Sequence, residues 1–283
     1  MQSQFLDDAG ITLYIKRDDL LHPEFGGNKW RKLKYNLINA QNNNYHTLLT
    51  FGGAYSNHIY ATAAAGKHFG FKTIGFIRGE EHTPLNETLS FAKNCGMQLH
   101  YINRKQYKEK DSHEFLQTLK NKFAEAYILP EGGSNALALK GCAETIKEID
   151  INFDLICSAC GTGATLAGYI SALNSKQSAL GFAVLKGDFL TNEVSSFLKD
   201  KRDLPYWEIN NDFHFGGYAK INADLINFMK NFEEEYKIPL DAIYNGKMFY
   251  GLFELIKTGR FKPNSTIIAV HSGGLQGNKG FNL

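Results

Sequence analysis

The sequence contains the run Phe25-Gly26-Gly27-Asn28-Lys29-Trp30-Arg31-Lys32-Leu33, in which a lysine follows two glycines and an asparagine just before a helical stretch. The glycines allow the backbone to approach a bulky group closely. A lysine near a helix start lies where the local positive potential opposes its charged form. Such a lysine can become a nucleophilic amine that forms a Schiff base with an aldehyde. The alternative is a solvated lysine after a glycine-rich turn, and the remaining sequence favours the nucleophile.

The composition is that of an ordinary globular protein. The chain has 283 residues, 43% hydrophobic and 21% charged, which suits one large domain or two modest ones. A net charge of +2 without a dense Lys/Arg tract argues against a nucleic-acid partner. No apolar stretch approaches the length that spans a bilayer, so we expect no membrane partner. The polar, acidic segment from Met1 to Gly10 is unlike a signal peptide, and a cytoplasmic location is expected.

The cysteines predict neither a disulfide framework nor a metal site. Four cysteines are too few for a disulfide scaffold in a chain of this length. Cys157 and Cys160 form a C-x-x-C pattern, which is found in redox pairs and in halves of zinc sites. No second pair of cysteines and no nearby pair of histidines completes a metal site. We therefore expect no metal.

Short apolar strands alternate with amphipathic helices along the chain. Strands are predicted at Thr47–Phe51, Lys72–Ile77, Met97–Ile102, Tyr127–Leu129, Phe153–Cys157, Ser178–Leu185 and Thr266–Val270. This alternation predicts an α/β fold in which helices cover both faces of parallel sheets. Ligands in such folds bind beyond the carboxyl ends of the strands. Because no Pro/Ser-rich linker marks a boundary, two domains would have to be interleaved.

The first informative strand end is Phe51-Gly52-Gly53-Ala54-Tyr55-Ser56-Asn57-His58. Free backbone N–H groups at the start of the following helix are suited to binding a carboxylate. The same turn offers a hydroxyl, an amide and an imidazole. The alternative is a Ser/Asn helix cap with an incidental histidine, since caps commonly use these residues.

A second strand end, Ser158-Ala159-Cys160-Gly161-Thr162-Gly163-Ala164-Thr165, has the composition of a phosphate cradle. It lacks the Gly-Lys-Ser/Thr ending of a P-loop, so a nucleoside triphosphate is not expected. It also lacks a complete G-x-G-x-x-G, which argues against a dinucleotide. A single phosphate monoester fits best, and the alternative is a tight turn without a ligand.

Two further segments complete a set of matching groups. His271-Ser272-Gly273-Gly274 ends the last predicted strand, and its hydroxyl could bond a neutral ring nitrogen. Tyr244-Asn245-Gly246-Lys247 precedes a long helix, where the tyrosine is either a packing residue or a phenol placed over a site. The four features are thus an amine, a phosphate cradle, a hydroxyl for a ring nitrogen and a carboxylate-binding turn. Pyridoxal 5'-phosphate joined to an amino acid has the four matching groups.

These motifs resemble the 1-aminocyclopropane-1-carboxylate deaminase/D-cysteine desulfhydrase family, within the tryptophan-synthase-β-like (fold type II) pyridoxal-phosphate enzymes. The resemblance extends from Ile15-Lys16-Arg17-Asp18-Asp19-Leu20 to the final Ser-Gly-Gly. Its most specific parts are Lys-Arg-Asp-Asp followed by Gly-Gly-Asn-Lys-x-Arg-Lys-Leu, and Gly-Gly-x-x-Ser-Asn-His. It implies two parallel-sheet α/β domains, with a small domain (residues 33–139) inserted in a large cofactor-binding domain (residues 1–32 and 140–283). It also implies a homodimer.

The resemblance assigns cofactor-binding roles at matching positions. Lys29 would bind the cofactor aldehyde as a Schiff base, and Asn57 would contact the pyridine 3-hydroxyl. Ser272 would meet the pyridine nitrogen. The cofactor phosphate would be held by Cys160, Gly161, Thr162, Gly163, Ala164 and Thr165, with Lys32 assisting.

The resemblance also assigns substrate-binding and catalytic roles. The substrate would be a small amino acid, bound by Ser56, Asn57, His58 and Tyr244. Ser56 would lie near its carboxylate, and Tyr244 over the reaction centre. Lys29, Ser56 and Tyr244 would be the catalytic residues.

Three departures from the deaminase pattern shape the expected activity. The deaminases carry Glu directly after the active-site tyrosine, whereas this chain has Asn245. They carry Leu before the final Gly-Gly, whereas this chain has Ser272, closer to the Thr usual in desulfhydrases. The chain also begins after most of the family's N-terminal Pro-x-Pro segment, so we expect a different site entrance or different dimer contacts.

The expected activity is therefore D-cysteine desulfhydrase-like β-elimination to a 2-oxo acid and ammonia. The alternatives are ring opening of 1-aminocyclopropane-1-carboxylate and a non-catalytic protein that binds the cofactor or an amino acid. The presence of Lys29, Ser56 and Tyr244 together argues against the non-catalytic protein.

Overall fold

The computed structural model describes residues 1–281. Its strands are β1 (Thr12–Arg17), β2 (Thr47–Gly52), β3 (Lys72–Arg78), β4 (Gln98–Ile102), β5 (Ala126–Ile128), β6 (Leu155–Cys160), β7 (Ser178–Ala183), β8 (Tyr206–Asn210) and β9 (Thr266–His271). Its helices are α1 (Gln4–Asp8), α2 (Asn28–Asn42), α3 (Asn57–Phe69), α4 (Glu87–Asn94), α5 (Arg104–Lys108), α6 (His113–Lys122), α7 (Ala136–Lys147), α8 (Ala164–Ile170), α9 (Phe189–Leu198), α10 (Ala223–Tyr236) and α11 (Asn245–Lys257). Short 3₁₀ turns lie at Asp18–Leu21, Glu131–Gly133 and Leu275–Phe281.

The strands form two wholly parallel sheets, which confirms the predicted α/β fold. One sheet has the order β1-β9-β6-β7-β8 and the other has the order β4-β3-β2-β5. Each predicted strand is present, with ends that differ by at most three residues. The strands β1 and β8 and the helices α1, α5 and α9 were not predicted. Both missed strands lie at sheet edges, where polar residues and exposed rings such as Tyr206 obscure the apolar pattern.

The two sheets are built from different parts of the chain. The strands of the four-stranded sheet, β2 to β5, come from the middle of the sequence, and both chain ends supply the five-stranded sheet. Residue 33 lies within α2 and residue 139 within α7, so each proposed boundary falls inside a helix. The boundaries at 32/33 and 139/140 therefore stay a prediction.

The five-stranded sheet lies between two apolar layers. Along β6, Cys157 packs in a cluster with Leu252 of α11, whereas Cys160 packs with Leu166 of α8 on the other face. The alternation follows from the two-residue period of a strand. Both thiols are free and buried on opposite faces, and burial raises the pKa of Cys160 to about 12. The C-x-x-C pattern is thus part of the core.

A buried ion cluster attaches α2 to the rest of the large sheet. The Arg31 guanidinium donates to Asp18 Oδ1 at 2.9 Å and to Glu148 Oε2 at 2.6 Å. Asp18 follows β1, and Glu148 follows α7. The helices α2 and α7 pack closely, because a Cβ added at Gly141 would lie 1.9 Å from the Arg31 carbonyl oxygen. These contacts fix the first turn of α2, which carries Lys29.

The glycine turn before α2 approaches backbone atoms closely. Gly27 has φ +69°, and a Cβ added there would lie 1.9 Å from the Ser272 carbonyl oxygen. Asn28 N donates to the same oxygen at 3.3 Å. The bulky group that the glycines accommodate is therefore the backbone after β9. This contact places Lys29 beside the end of the last strand.

Within residues 1–281, no helix combines the length and the apolar character needed to cross a membrane.

We predict that Gly141→Ala lowers the free energy of unfolding by roughly 1–3 kcal/mol, because the new methyl group would overlap the Arg31 carbonyl. Urea denaturation monitored by circular dichroism measures the change. The matched control is Lys147→Ala, an exposed position on the same helix, which we expect to be near neutral. Equal stability of the two variants would contradict the close packing of α2 on α7.

Candidate active site

A cavity of about 660 Å³ opens at the carboxyl ends of β2, β3, β5, β6 and β7. Its lining includes most of the residues predicted from the sequence: Lys29, Lys32, Ser56, Asn57, His58, Cys160, Gly161, Thr162, Gly163, Thr165 and Tyr244. Ala164 is fully buried at the start of α8 and is not part of the lining. The position agrees with the rule that ligands of parallel sheets bind beyond the carboxyl strand ends.

Ser272 lies in a second, smaller cavity of about 270 Å³. The two cavities share Asn28, Lys29 and Asn57 as lining residues. These three side chains therefore form the partition between the phosphate-cradle side and the Ser272 side. A ligand that contacts both Gly161 and Ser272 would have to lie along this partition.

Lys29 lies in the first turn of α2, and its side chain lines both cavities. Its Nζ donates to Asn28 Oδ1 at 3.1 Å and lies 6.0 Å from the centroid of the Tyr244 ring. Burial, together with the nearby charge of Lys32, lowers the pKa of Lys29 to about 7. A substantial fraction of the amine is therefore neutral at physiological pH, as a nucleophile or base requires.

Lys32 is the centre of the predicted phosphate cradle. Its Nζ donates to Thr162 Oγ1 at 3.1 Å, to Ser134 Oγ at 3.2 Å and to the Gly132 carbonyl at 3.1 Å. The side chain is buried, and no carboxylate pairs with it within residues 1–281. A buried ammonium of this kind needs a counter-charge, and a phosphate beside Thr162 would supply one. The arrangement fits a phosphate monoester.

Ser134 and Gly132 were missed by sequence reasoning. They follow the short strand β5 in the segment Pro130-Glu131-Gly132-Gly133-Ser134. The glycine pair after Leu129 was the available signal, since it marks another carboxyl strand end. Ser134 Oγ and Thr162 Oγ1 are 2.8 Å apart, so the two sheets meet at this hydrogen bond.

The Ser56 turn caps α3 and also faces the main cavity. Ser56 Oγ accepts hydrogen bonds from His58 N at 3.2 Å and Ile59 N at 3.3 Å. Its hydroxyl hydrogen is therefore free to donate to a ligand carboxylate. The cap interpretation and the carboxylate-binding interpretation are compatible at this residue. Asn57 accepts from Gln276 Nε2 at 3.1 Å, which orients its amide between the two cavities.

His58 forms part of the inner wall as a neutral imidazole. Thr50 Oγ1 donates to the Leu129 carbonyl at 3.1 Å, so it accepts from His58 Nε2 at 2.8 Å. His58 Nδ1 is then an acceptor, and it has no protein partner within residues 1–281. Burial, together with the charges of Lys29 and Lys32, holds the pKa of His58 well below its usual value. A substrate-binding role for His58 stays a prediction.

Tyr244 lies across the phosphate-cradle loop, and Tyr218 lies beside it. A Cβ added at Gly161 would lie 3.2 Å from Tyr244 Cε1, so the ring packs tightly on this glycine. The two tyrosine rings are edge-to-face, with centroids 6.3 Å apart. Burial raises the pKa of Tyr244 well above its usual value and also raises that of Tyr218. Both phenols are therefore neutral and able to donate a proton or a hydrogen bond.

Tyr218 was not predicted as a site residue. It follows Gly216-Gly217 in an irregular segment, and this glycine pair was the only signal in the sequence. The segment is fixed by Lys247, whose Nζ donates to the carbonyl oxygens of His214 at 2.9 Å and Gly217 at 2.8 Å. Lys247 thus positions the Tyr218 loop.

Ser272 is held by a hydrogen-bonded chain that ends at Asp241. Ser272 N and Oγ both donate to Asn245 Oδ1, at 2.9 Å and 3.2 Å. Asn245 Nδ2 donates to Asp241 Oδ1 at 2.5 Å and to the Gly273 carbonyl at 2.7 Å. The Asp241 carboxylate also accepts backbone N–H groups from residues 243–245. The group facing the second cavity is therefore a hydroxyl, and the carboxylate lies behind an amide.

The side chains of residues 1–281 contain no cluster of three or more His, Cys, Asp or Glu that could hold a metal ion.

Comparisons with known proteins agree with the site chemistry. The family model described as pyridoxal-phosphate dependent enzyme matches residues 2–273. A protein of Pyrococcus horikoshii with the provisional name 1-aminocyclopropane-1-carboxylate deaminase is 32% identical, over 95% of this chain and 86% of its own length. The mitochondrial bifunctional D-cysteine desulfhydrase/1-aminocyclopropane-1-carboxylate deaminase of Arabidopsis thaliana is 31% identical, over 95% of this chain and 73% of its own. A solved structure described as an ACC deaminase homologue has a TM-score of 0.81 at 30% identity, covering 97% of this chain and 88% of that one.

We predict that Lys29 reacts with pyridoxal, the phosphate-free aldehyde, in cofactor-free protein with a pH midpoint near 7. Lys32→Met should move this midpoint upward, because the variant removes a positive charge that disfavours the protonated Lys29 amine. The absorbance of the Schiff base followed across a pH series measures both midpoints.

Borohydride reduction and peptide mapping identify the reacting lysine in the same samples. Lys247 is the competitor to check, since burial lowers its pKa to about 8. A label on Lys32 or Lys247 in place of Lys29, or a midpoint that falls in Lys32→Met, would contradict the assignment.

We also predict that Thr162→Val weakens affinity for pyridoxal phosphate about fivefold, the equivalent of about 1 kcal/mol for one lost hydrogen bond. The substitution removes the acceptor of Lys32 Nζ and a hydroxyl donor for the phosphate. Adding Thr165→Val should weaken affinity further. Fluorescence titration of cofactor-free protein measures the affinity, with the exposed Thr118→Val as control. Unchanged affinity together with lost turnover would place the cradle elsewhere.

Proposed function

The chain belongs to the family of pyridoxal-phosphate-dependent enzymes, and we propose from this premise that it is a D-cysteine desulfhydrase-like lyase. It is a pyridoxal-phosphate-dependent lyase or deaminase of the kind represented by its relatives. The observation that carries the narrower proposal is the Ser272 hydroxyl bonded to neutral Asn245. The reaction would convert a small β-substituted amino acid and water into a 2-oxo acid, ammonia and the free leaving group.

The proposed roles of the side chains follow from their protonation states. When bound, pyridoxal phosphate withdraws electrons from the α-carbon of an attached amino acid, which makes its proton easier to remove. Lys29 would accept this proton, since burial keeps much of its amine neutral. Lys32 and Thr162 would bind the phosphate, and Ser56 would orient the substrate carboxylate. Tyr244 and Tyr218 carry neutral phenols that can donate a proton to the departing group.

The ranking of substrates rests on the environment of Ser272. A hydroxyl can donate a hydrogen bond to a ring nitrogen, but it cannot protonate that nitrogen firmly as a carboxylic acid would. The bound cofactor would then withdraw electrons from the α-carbon only moderately, which suits a substrate with a good leaving group. A thiol of pKa about 8.5 leaves readily as a thiolate. The cyclopropane carbon needs more electrophilic help, and Asn245 stands where the deaminase pattern has an acid.

The second candidate is 1-aminocyclopropane-1-carboxylate deaminase activity. The Arabidopsis thaliana relative carries both activities in its name, so the two can share one site. A non-catalytic binding protein is the less supported alternative. A protein that only binds a ligand would need neither a lysine with a pKa of about 7, such as Lys29, nor a buried pair of tyrosines.

We also propose that the protein is a homodimer. A homodimer is supported by the family resemblance and by the exposed apolar side chains of Tyr14, Leu20 and Leu21 at the β1 edge of the large sheet. We also propose a cytoplasmic location.

We predict that holoenzyme releases sulfide and pyruvate from D-cysteine, and that kcat/KM for 1-aminocyclopropane-1-carboxylate is lower or unmeasurable. Sulfide and 2-oxo acid are quantified on one preparation, with L-cysteine as the test of chirality and Lys29→Ala as the inactive control. Near-normal turnover by Lys29→Ala would remove Lys29 from the role of base. A higher kcat/KM for the cyclopropane substrate would reverse the ranking.

A further inference from the structure

Arg78 is a charged residue of the cavity wall to which no role has yet been assigned. It is the last residue of β3, and its side chain lines the main cavity together with Lys29, Ser56 and Tyr244. A Cβ added at Gly53 would lie 3.4 Å from an Arg78 terminal nitrogen. The guanidinium therefore packs on the glycine turn that leads into Ser56.

The position of Arg78 beside this turn is set by the register of the small sheet. Gly52 of β2 pairs with Ile77 of β3, so Arg78 stands opposite Gly53 on the neighbouring strand. Adjacent strands lie about 4.8 Å apart. The guanidinium thus reaches the cavity next to the proposed site of the substrate carboxylate.

The charge of Arg78 is not neutralised by the protein. Within residues 1–281 it has no ion pair and no side-chain hydrogen bond; its guanidinium carbon lies 5.6 Å from the centroid of the Tyr107 ring. The acids lining this part of the cavity are already engaged. Glu131 accepts from Tyr107 Oη at 2.8 Å and pairs with Lys110 at 3.2 Å. Asp111 pairs with the same lysine at 2.9 Å.

Tyr107 and Glu131 also limit where the guanidinium can turn. The Tyr107 ring is buried and anchored at its hydroxyl, so it offers Arg78 a fixed aromatic face. A guanidinium that stacks on an aromatic ring and has no partner at its terminal N–H groups presents these donors in a defined direction. Such a fork is suited to a carboxylate or to another planar or tetrahedral anion.

We propose that Arg78 binds a second anionic group, carried on the side chain of the substrate. The preferred substrates of this enzyme would then be small amino acids whose β-substituent bears a negative charge, in addition to the α-carboxylate held at Ser56. A cavity of about 660 Å³ has room for such a side chain. This inference rests on the proposed function for its catalytic consequence, but the binding preference is independent of turnover.

The test compares an acid with its isosteric amide. Aspartate and asparagine have the same shape, differ by one charge and carry no good leaving group. Their dissociation constants are measured on holoenzyme from the change in cofactor absorbance, with both enantiomers. We expect the preferred enantiomer of aspartate to bind at least about tenfold more tightly than the corresponding asparagine, as one charge-assisted contact would give.

Variants at Arg78 separate this role from others. Arg78→Gln should abolish the preference for aspartate and leave asparagine affinity unchanged, and Arg78→Lys should retain part of the preference. Arg104→Gln, an exposed arginine that does not line the cavity, is the matched control and should behave as wild type. Equal weakening of both ligands in Arg78→Gln would assign the guanidinium to the α-carboxylate and overturn the proposal. An unchanged preference for aspartate in Arg78→Gln, or no preference for it in the wild type, would also overturn it.

Turnover of D-cysteine, whose side chain is a thiol and not a carboxylate, distinguishes this inference from the proposed function. Arg104→Gln, which lies outside the cavity lining, should retain kcat/KM for D-cysteine within about threefold of wild type. If the wild type does not act on D-cysteine, the proposed function fails, whereas the aspartate/asparagine ratio still decides the role of Arg78.

Discussion

The buried pair of Arg31 and Asp18 determines where the reactive lysine lies. Both side chains are almost fully removed from water, and Glu148 completes the ion cluster. Removing one partner of such a pair typically costs about 3–5 kcal/mol, because the other charge is left buried and uncompensated. Lys29 and Lys32 are three residues apart and share one face of α2, whereas Arg31 points to α7. The ion cluster therefore fixes α2 on the face that packs against α7, whereas Lys29 and Lys32 on the other face line the cavities.

The two lysines of α2 divide their tasks through their environments. Burial lowers the pKa of Lys32, but hydroxyl and carbonyl oxygens accept its hydrogen bonds, and a bound anion would stabilise its charged form. Lys29 has only the Asn28 amide oxygen as a partner and is sensitive to the charge of its neighbour. A phosphate bound at Lys32 would offset that charge and raise the pKa of Lys29. Occupation of the cradle thus controls the basicity of the amine about one helical turn away.

The sequence predicted the parts of this site that lie at carboxyl strand ends. Glycine-bearing turns after β2, β6 and β9 could be identified without coordinates, and parallel strands bring such ends together. Tyr218 could not be found in this way, because its position depends on Lys247 reaching loop carbonyls from a distant helix. The charged Asp18 and Arg31 were recognised as parts of a motif, but their pairing needs the relative placement of β1 and α2. The edge strands β1 and β8 of the large sheet were missed because polar residues interrupt their apolar pattern.

The network behind Ser272 explains how the chain can contain Asp241 and still place a hydroxyl, not that carboxylate, at this wall of the second cavity. Asn245 Nδ2 has two acceptors, Asp241 and the Gly273 carbonyl, so the amide cannot flip without losing both bonds. Its oxygen must therefore face Ser272. The single hydroxyl hydrogen of Ser272 either stays on this oxygen, across 3.2 Å, or rotates toward a ligand nitrogen. The rotation exchanges one neutral hydrogen bond of about 1 kcal/mol for another, so its net free-energy change is close to zero. Ser272 can thus offer a ring nitrogen a hydrogen bond but no firmly transferred proton, and this limit favours substrates that already carry a good leaving group.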